Sequence, residues 1–509
     1  MKIAINFRSF IYSMAMLIAT IFACLLALNI SWLGLILLLV LVFAPIITVF
    51  LLKKRPQKYK IITVGLSALL CFVAIIIFFI TVYTWTPSQI EDNVYKVSGS
   101  VEDNFVIDDE RVVVLRNVRL NGEEVSGKIK VYVIDDEKFF SLIPIGDKLE
   151  FSSYVSVRKI VDGYKVNANS LRTNVRYLTW INAENVNVYE GNQTVLDKIN
   201  CYVKNTLIDC MGNQYGVIAY GMLTGDKNEI SSTARDMFSL AGLAHILAVS
   251  GLHVGFLTSI VMFLLRKLKV KKELNLCINA AILFVYCVFA GFSPSIVRAS
   301  IMFLIAGGAT ILGEQRDSLN SLGFAATCIL TFSPFMMFEA GFVMSVGAVL
   351  GIVNFSPIIS RGLSKIKIPD FLANAISIST SAQLGIIPAS VCFFGSLQLY
   401  SIVVNILLMP LMSVAFIAVF LALIISIIPI FKFFVTASGF LIKIIATAAG
   451  FCAGLPLAQI PIYATGGSLL IYPLYFLMGD FVGCKKKWIL STACATVIIA
   501  LLVVLLVVG

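Results

Sequence analysis

The stretch KKRPQKYKIITVGLSALLCFVAIIIFFITVY, residues 53–83, carries the two signals that decide the fold. A loop rich in Lys and Arg, Lys53 to Lys60, runs straight into 23 residues, Ile61 to Tyr83, that carry no charge. A helix rises about 1.5 Å per residue and a bilayer core is about 30 Å thick, so about 20 apolar residues span it. The run reads as a transmembrane segment, and its basic flank reads as cytoplasmic by the positive-inside rule.

The same pattern repeats outward from this stretch. Two apolar runs, 10–28 and 32–52, precede it, and Lys2 to Arg8 places the N-terminus in the cytoplasm. Residues 10–28 are long enough to span and are followed at once by a second run, so no cleaved signal peptide is expected. Further runs lie at 242–265, 274–292, 296–313, 319–336, 337–355, 371–395, 399–430, 434–454, 466–482 and 488–508. The 399–430 run contains Pro410 and is too long for one straight span, so a broken or re-entrant helix is expected there. The count comes to about 11–13 spans. Basic loops at Arg266 to Lys272, Arg316, Arg361 to Lys367, Lys432 and Lys485 to Lys487 keep the cytoplasmic parity.

Composition agrees. Of 509 residues, 59% are hydrophobic and 13% charged, against about 25% charged in soluble domains. A soluble enzyme of this size is excluded. The net charge is +11, from 39 Lys+Arg against 28 Asp+Glu. It is unevenly placed: residues 87–198 hold 18 acids and 14 bases, a net −4, while the remainder carries the excess of bases.

That acidic insert reads as β. RVVVLRNVRL (111–120), KIKVYVI (128–134), YVSVRKIV (154–161) and ENVNVYE (184–190) alternate or cluster β-branched residues. NGEE, IDDE and VDGY supply turns between them. Five or six short strands suit a small OB-like barrel. The third span places this barrel outside the cytoplasm. Its role is open between a structural cap and a single-strand-binding surface, the net negative charge weighing against the second. The fold class is a polytopic α-helical membrane protein with an extracytoplasmic β-barrel insert. Its parts are three N-terminal spans (1–86), the OB-like domain (87–198), amphipathic interfacial helices (199–241) and a transmembrane domain (242–509).

The 11 cysteines form no CxxC pair, and most sit singly in apolar runs, where Cys behaves as a small hydrophobe. Cys201 and Cys210, near the insert, are a candidate disulfide if that side is oxidising. No metal or cofactor set is expected. Asn192-Gln193-Thr194 is a formal glycosylation sequon that nothing else in the chain supports.

Polar chemistry concentrates in AGLAHILAVSGLHVG, residues 241–255, which holds both histidines of the chain, His245 and His253, with Ser250, Gly251 and Gly255. Ionisable groups at membrane depth are costly and mark function. Two His about 80° apart on a helix, with no nearby Cys, Asp or Glu, make a poor metal site. A Ser250–His253 nucleophile pair lacks the glycine elbow, because Ala248 stands where its first glycine belongs. The remaining alternative is a broken helix lining a hydrophilic path, or simply packing with satisfied hydrogen bonds.

Companion motifs follow. GFSPSIVRASIMFL (291–304) opens a helix with Pro294 and Ser295, where free N–H groups attract anions, and places Arg298 one turn in. An arginine snorkelling to the interface is the competing reading. EQRDSLNSL (314–322), MFEAGFVMSVGAVLG (337–351) with Glu339 and Ser345, STSAQLGIIPASVCFFG (379–395) with Gln383, and VVNILLMP (403–410) with Asn405 interrupt apolar spans with single polar residues, as transport paths do. No GxxxxGK[ST] or HExxH occurs, which excludes a P-loop pump and a zincin.

At LAHILAVSGLHVG the sequence resembles the ComEC competence-protein family, the inner-membrane DNA channel of natural transformation. GMLTGDK, GFSPSIVRASIM, RDSLNSL, AGFVMSVGAVLGI, SAQLGIIPASVCFFG and NILLMP extend the resemblance, in order, over about residues 215–430. It implies a non-enzymatic channel that passes single-stranded DNA across the cytoplasmic membrane. The implied partners are membrane lipids, an external DNA receptor and a cytoplasmic ATPase or helicase. The path residues it implies are His245, Ser250, Gly251, His253, Pro294, Ser295, Arg298, Gln383 and Asn405. Many family members continue into a metallo-β-lactamase-like domain whose histidine-rich motifs this sequence lacks, so a separate nuclease is expected. A homodimer is one assembly open to it. A transporter of another anionic solute or lipid, and an intramembrane Ser/His hydrolase, are the alternatives.

Overall fold

The computed structural model describes residues 90–462, apart from 108–109, 135–144, 159–160, 163–164, 167–173, 183–185, 192, 228–229, 246, 248–250, 315, 366–368, 457 and the side chains of a few others. It also describes 3–5, 69, 72–78, 80, 468, 471–472 and 482–484. The predicted spans at 10–28, 32–52 and 488–508, and most of 466–482, lie outside the described residues.

The insert is a closed five-stranded barrel. Its strands are β1 (Asn93–Ile107), β2 (Glu110–Leu120), β3 (Lys128–Ile134), β4 (Lys148–Val157) and β5 (Val175–Asn182). β1 pairs antiparallel with β2 and β4, β2 with β3, and β4 with β5, while β3 and β5 run parallel. The circuit 1-2-3-5-4-1 leaves no open edge, the arrangement of an OB-like barrel. Alternation makes the core: Ile129, Val131 and Val133 of β3 turn inward with Val113, Leu115, Leu149, Phe151, Tyr177 and Ile181. β2 ends in Asn121-Gly122, both at positive φ, the backbone of a hairpin turn that Asn-Gly adopts readily. β1 serves two neighbours because register shifts after Ser98 and Val101 bend it.

A short strand, β6 (Asn187–Tyr189), leads to helix α1 (Val195–Met211). Thr194 and Asp197 form a reciprocal capping box: Asp197 N–H donates to Thr194 Oγ1 at 3.2 Å, and Thr194 N–H to Asp197 Oδ2 at 2.9 Å. Arg116 of β2 reaches the same oxygen at 3.0 Å. One carboxylate therefore caps the helix and fastens it to the barrel. Cys201 and Cys210 share α1 and are nine residues apart. Their axial separation of about 13.5 Å is roughly twice the widest Cα spacing a disulfide tolerates, so the candidate bridge does not form.

The helices that follow are α2 (Asn213–Thr224), α3 (Ser232–Leu240), α4 (Gly251–Lys267), α5 (Lys272–Phe289), α6 (Pro294–Leu312), α7 (Ser318–Phe332), α8 (Ala340–Ser364), α9 (Asp370–Phe394), α10 (Ser401–Ile425) and α11 (Lys432–Ala453). Six segments among the described residues are long and apolar enough to cross a membrane: α5, α6, α8, α9, α10 and Pro429–Ala453, which contains α11. The chain is a polytopic helical protein with a barrel insert. The 399–430 run is neither broken nor re-entrant. α10 passes through Pro410 as one 25-residue helix, with the proline on an exposed face. Helix α4 begins nine residues later than the predicted 242–265 span. Of the third predicted span, Ala74 and Phe78 are buried against α7 and α8, Phe78 stacking on Phe335 at 5.1 Å.

The tightest contact in the membrane domain joins α8 and α9. Gly347 and Gly351 face Ser381 and Gly385 so closely that a Cβ on Gly385 would meet the Gly347 carbonyl carbon at 2.9 Å. Small residues four apart on both helices permit this approach, which lipid-facing helices use because burial against lipid offers little driving force.

Two outcomes follow. Asp197 is opposed by burial, yet its bonds to Thr194 and Arg116 hold its carboxyl below the ordinary range. Its contribution is therefore complete at neutral pH and is lost as pH falls below about 4. Thermal melts of the full chain should show Asp197→Asn flattening that acid dependence, with Thr194→Ala costing about 1 kcal/mol. Gly385→Leu should lower Tm and shift the size-exclusion profile, whereas Gly308→Leu, where a Cβ meets nothing within 4 Å, should do neither.

Candidate functional site

Three of the polar motifs, 241–255, 291–304 and 337–351, meet on a seam between the α3–α4 connection, α6 and the start of α8. Arg298 lies one turn into α6, after Pro294 at its first position. Only 6% of Arg298 is exposed, so the side chain is enclosed by protein and does not snorkel. Its Nη1 donates to the Ser345 carbonyl of α8. Its Nε, also buried, has no hydrogen-bond partner.

The guanidinium faces the N-terminus of α4. A Cβ on Gly251, the first residue of that helix, would sit 3.2 Å from Ala299 Cβ and 3.6 Å from Arg298 Nη2. Glycine here lets α4 close on α6. Two positive features thus share one place: a fixed cation and the N-terminal end of a helix dipole. Among the described residues no carboxylate pairs with Arg298.

His245 lies in the turn before α4, its ring bonded to the Gly242 backbone and its Nε2 buried without a partner. Gly242 has a φ of +75° and abuts Ser401 at the start of α10, where any Cβ would clash. Lys227 stands beside His245 and links it to two further groups that sequence reasoning did not join to it. Lys227, between α2 and α3, interacts with His245, Arg235 and Glu339. Burial holds the Lys227 ammonium below its usual range, with Glu339 opposing that shift and Arg235 adding to it. Arg235 of α3 has a buried Nε with no partner. The sequence signal of Lys227 and Arg235 was TGDKNEISSTARDMF, an unusually polar run beside the spans, and Glu339 stood out in MFEAGFVMSVGAVLG.

The remaining site residues are more dispersed. His253, 4% exposed on α4, packs its ring on Phe416 of α10 at 4.5 Å. Asn405, also on α10, has a buried Oδ1 with no partner. Gln383 is half-buried on α9 and Ser295 half-buried on α6. Ser250 lies outside the described residues. Among the described residues no three His, Cys, Asp or Glu gather as a metal site.

The barrel carries a second feature. Tyr132 of β3 and Trp180 of β5 are register partners, and their rings stack at 5.5 Å and 14°. Lys130 Nζ lies 4.9 Å from the Tyr132 ring centre. Tyr154 of β4, half exposed, sits one step past the Val155–Thr179 pair and continues the row beside Trp180. Three aromatics thus line one outer wall.

Residues 222–488 match the family described as competence protein. The chain belongs to that family. A 193-residue stretch is 27% identical to ComE operon protein 3 of Bacillus subtilis (strain 168), covering 38% of this chain and 24% of that protein. The match therefore spans about a quarter of the relative's length. No solved structure matches the chain. The competence-family segment contains every helix of the seam from α4 onward, together with Lys227, Arg235 and His245, while the barrel lies outside it. With six apolar helices and this membership, the protein is a multi-pass membrane protein.

Proposed function

We propose that this competence-family protein conducts a single strand of DNA across the cytoplasmic membrane during natural transformation, as a conduit and not as an enzyme. Family membership supports the DNA-uptake role. The observation that carries the finer reading is Arg298, a buried guanidinium beside the first turn of α4 with a donor left over. An ionised group out of water costs several kcal/mol unless it is compensated, and one neutral carbonyl compensates little. A passing phosphodiester would accept from Arg298 Nε beside the positive end of the α4 dipole. Lys227, Arg235 and His245 extend the attraction along the seam, and His253 and Asn405 give α10 polar points on the path. The membrane segments Gly251, Pro294, Ser295 and Gln383 shape that path on this reading, with Ser250 beside them.

The positive-inside pattern supports a cytoplasmic N-terminus and an extracytoplasmic barrel. The barrel's aromatic row is a platform on which bases stack with little sequence preference. Partners on this reading are an external DNA receptor that delivers the strand and a cytoplasmic ATPase or helicase that draws it in. A separate nuclease that degrades the other strand is a further partner on this reading. A candidate homodimer remains compatible with either face.

Uptake of labelled transforming DNA tests the conduit. Arg298→Ala should lower uptake about tenfold or more at unchanged protein level, a loss of the size expected for a charged hydrogen bond. Arg298→Lys should recover part of it, and Arg361→Ala, on an exposed last turn, should leave uptake intact. Equal uptake by Arg298→Ala and wild type would refute the phosphate contact. For the barrel, Trp180→Ala in the full chain should weaken oligo-dT binding by about tenfold in fluorescence anisotropy, given about 1–3 kcal/mol per stacked base. Unchanged binding would remove the barrel from the path.

A further inference from the structure

A cavity of about 670 Å³ lies on the other side of α4 from the seam, between its C-terminal turn, the start of α5 and the end of α6. Arg266, Lys269, Lys272 and Arg316 line it, and no acidic residue does. Three of the four come from one basic loop, 266–272, and the fold brings Arg316 to them from the far side of α6. Part of this grouping has a plain explanation, because cations near the end of α4 complement its dipole. That explanation does not cover Lys272, which begins α5, a helix end that disfavours a cation. Nor does it cover Arg316, whose Nε is held by Thr310 Oγ1 at 2.9 Å beside the cavity. Lys267, by contrast, lies over the Phe263 ring at 4.8 Å and is not part of the lining. Lys269 adopts a φ of +54° at the end of α4, a conformation glycine takes at no steric cost.

Two further features specify the ligand. The wall is apolar below the cations, with Met262, Leu276, Phe303 and Ile311. Deeper, Asn279 is 1% exposed, and its Nδ2 donates to both the carbonyl and Oδ1 of Asn275 at 2.9 and 2.8 Å. Those two acceptors fix the amide orientation, which leaves Asn279 Oδ1 a buried acceptor with no partner, in a residue that lines the cavity. The site therefore asks for a negative charge, a hydroxyl donor and an apolar tail together. A deoxyribose-phosphate backbone offers only acceptors and no tail. α5 and α6 are candidate spans whose ends meet here, the depth at which lipid headgroups lie.

We propose that this cavity binds the headgroup of an anionic glycerophospholipid, its phosphate held by the four cations, a glycerol hydroxyl donating to Asn279 Oδ1 and its acyl chains against the apolar wall. The site is separate from the DNA path and holds α4, α5 and α6 together at one membrane face.

The full chain, purified in detergent, tests this directly. Added phosphatidylglycerol should raise Tm, and phosphatidylcholine should not. Native mass spectrometry should find phosphatidylglycerol retained through delipidation. Lys272→Gln should reduce that retention severalfold, and the combined Arg266→Gln, Lys272→Gln and Arg316→Gln variant should abolish it. If the combined variant fails to fold, the wild-type comparison of the two lipids and the single variant decide. Equal effects of the two lipids, or full retention in Lys272→Gln and in a folded combined variant, would overturn the proposal. A Tm rise with inorganic phosphate matching that with phosphatidylglycerol would reassign the site to free phosphate. Displacement of the lipid by an oligodeoxynucleotide would reassign it to nucleic acid.

Discussion

A guanidinium enclosed by membrane helices is the constraint on which the rest of the channel domain turns. A hydrocarbon environment offers no water to solvate Arg298, so the protein must bring acceptors to it or leave room for something that does. It brings one, the Ser345 carbonyl. That carbonyl belongs to α8, whose position is in turn set by the backbone-to-backbone contact with α9 at Gly347, Gly351 and Gly385. α4 can approach because its first residue is Gly251. Its described approaches, the Ser345 carbonyl and Gly251, are main chain and glycine, so backbone geometry shapes the place.

Two solvents explain the division of the chain. The barrel folds in water and is held by an alternating core and closure of its edges. The helices fold where burial against lipid returns little, so glycine contacts and interhelical polar contacts take over. The bond from Tyr286 on α5 to the Leu223 carbonyl at the end of α2, at 3.1 Å, is of that kind. At the junction the two regimes meet in one carboxylate, Asp197, which caps α1 and binds Arg116 of the barrel.

Much of this was legible in the sequence, and for local reasons. Apolar runs and basic loops marked the helices because spanning length and loop charge are properties of neighbouring residues. Asn121-Gly122 announced its hairpin because positive φ is a single-residue requirement. The parallel pairing of β3 and β5 was not legible, since it joins strands more than 40 residues apart with no local signature. Pro410 misled because a proline on an exposed helix face removes one backbone bond without bending the helix out of its span. Cys201 and Cys210 misled because closeness in sequence hides the rise of the helix that separates them. The meeting of Lys227 with His245 is tertiary, and so is that of Arg316 with the other three cations of the lipid cavity. The sequence placed the cavity's cations in two basic loops without showing that the loops meet.

The placement matters more than the net charge of +11. Glu339 shows why. It precedes α8 and interacts with Lys227, whereas Ser345, whose carbonyl Arg298 meets, lies six residues further along the chain, about 9 Å in helical rise. Had the carboxylate met Arg298, the two would neutralise each other and the arginine would be a structural bolt with no attraction for an anion. Spending the acid on Lys227 leaves Arg298 uncompensated at the narrow approach of α4 to α6. The same accounting separates this site from the lipid cavity. There the cations stand near helix ends where water and headgroups balance them, so they hold a ligand in place. In the proposed conduit, the one cation and one helix start at Arg298 form a combination strong enough to attract a phosphate and too small to retain a strand. Conduction needs that balance, since a site that bound tightly would stop what it is meant to pass.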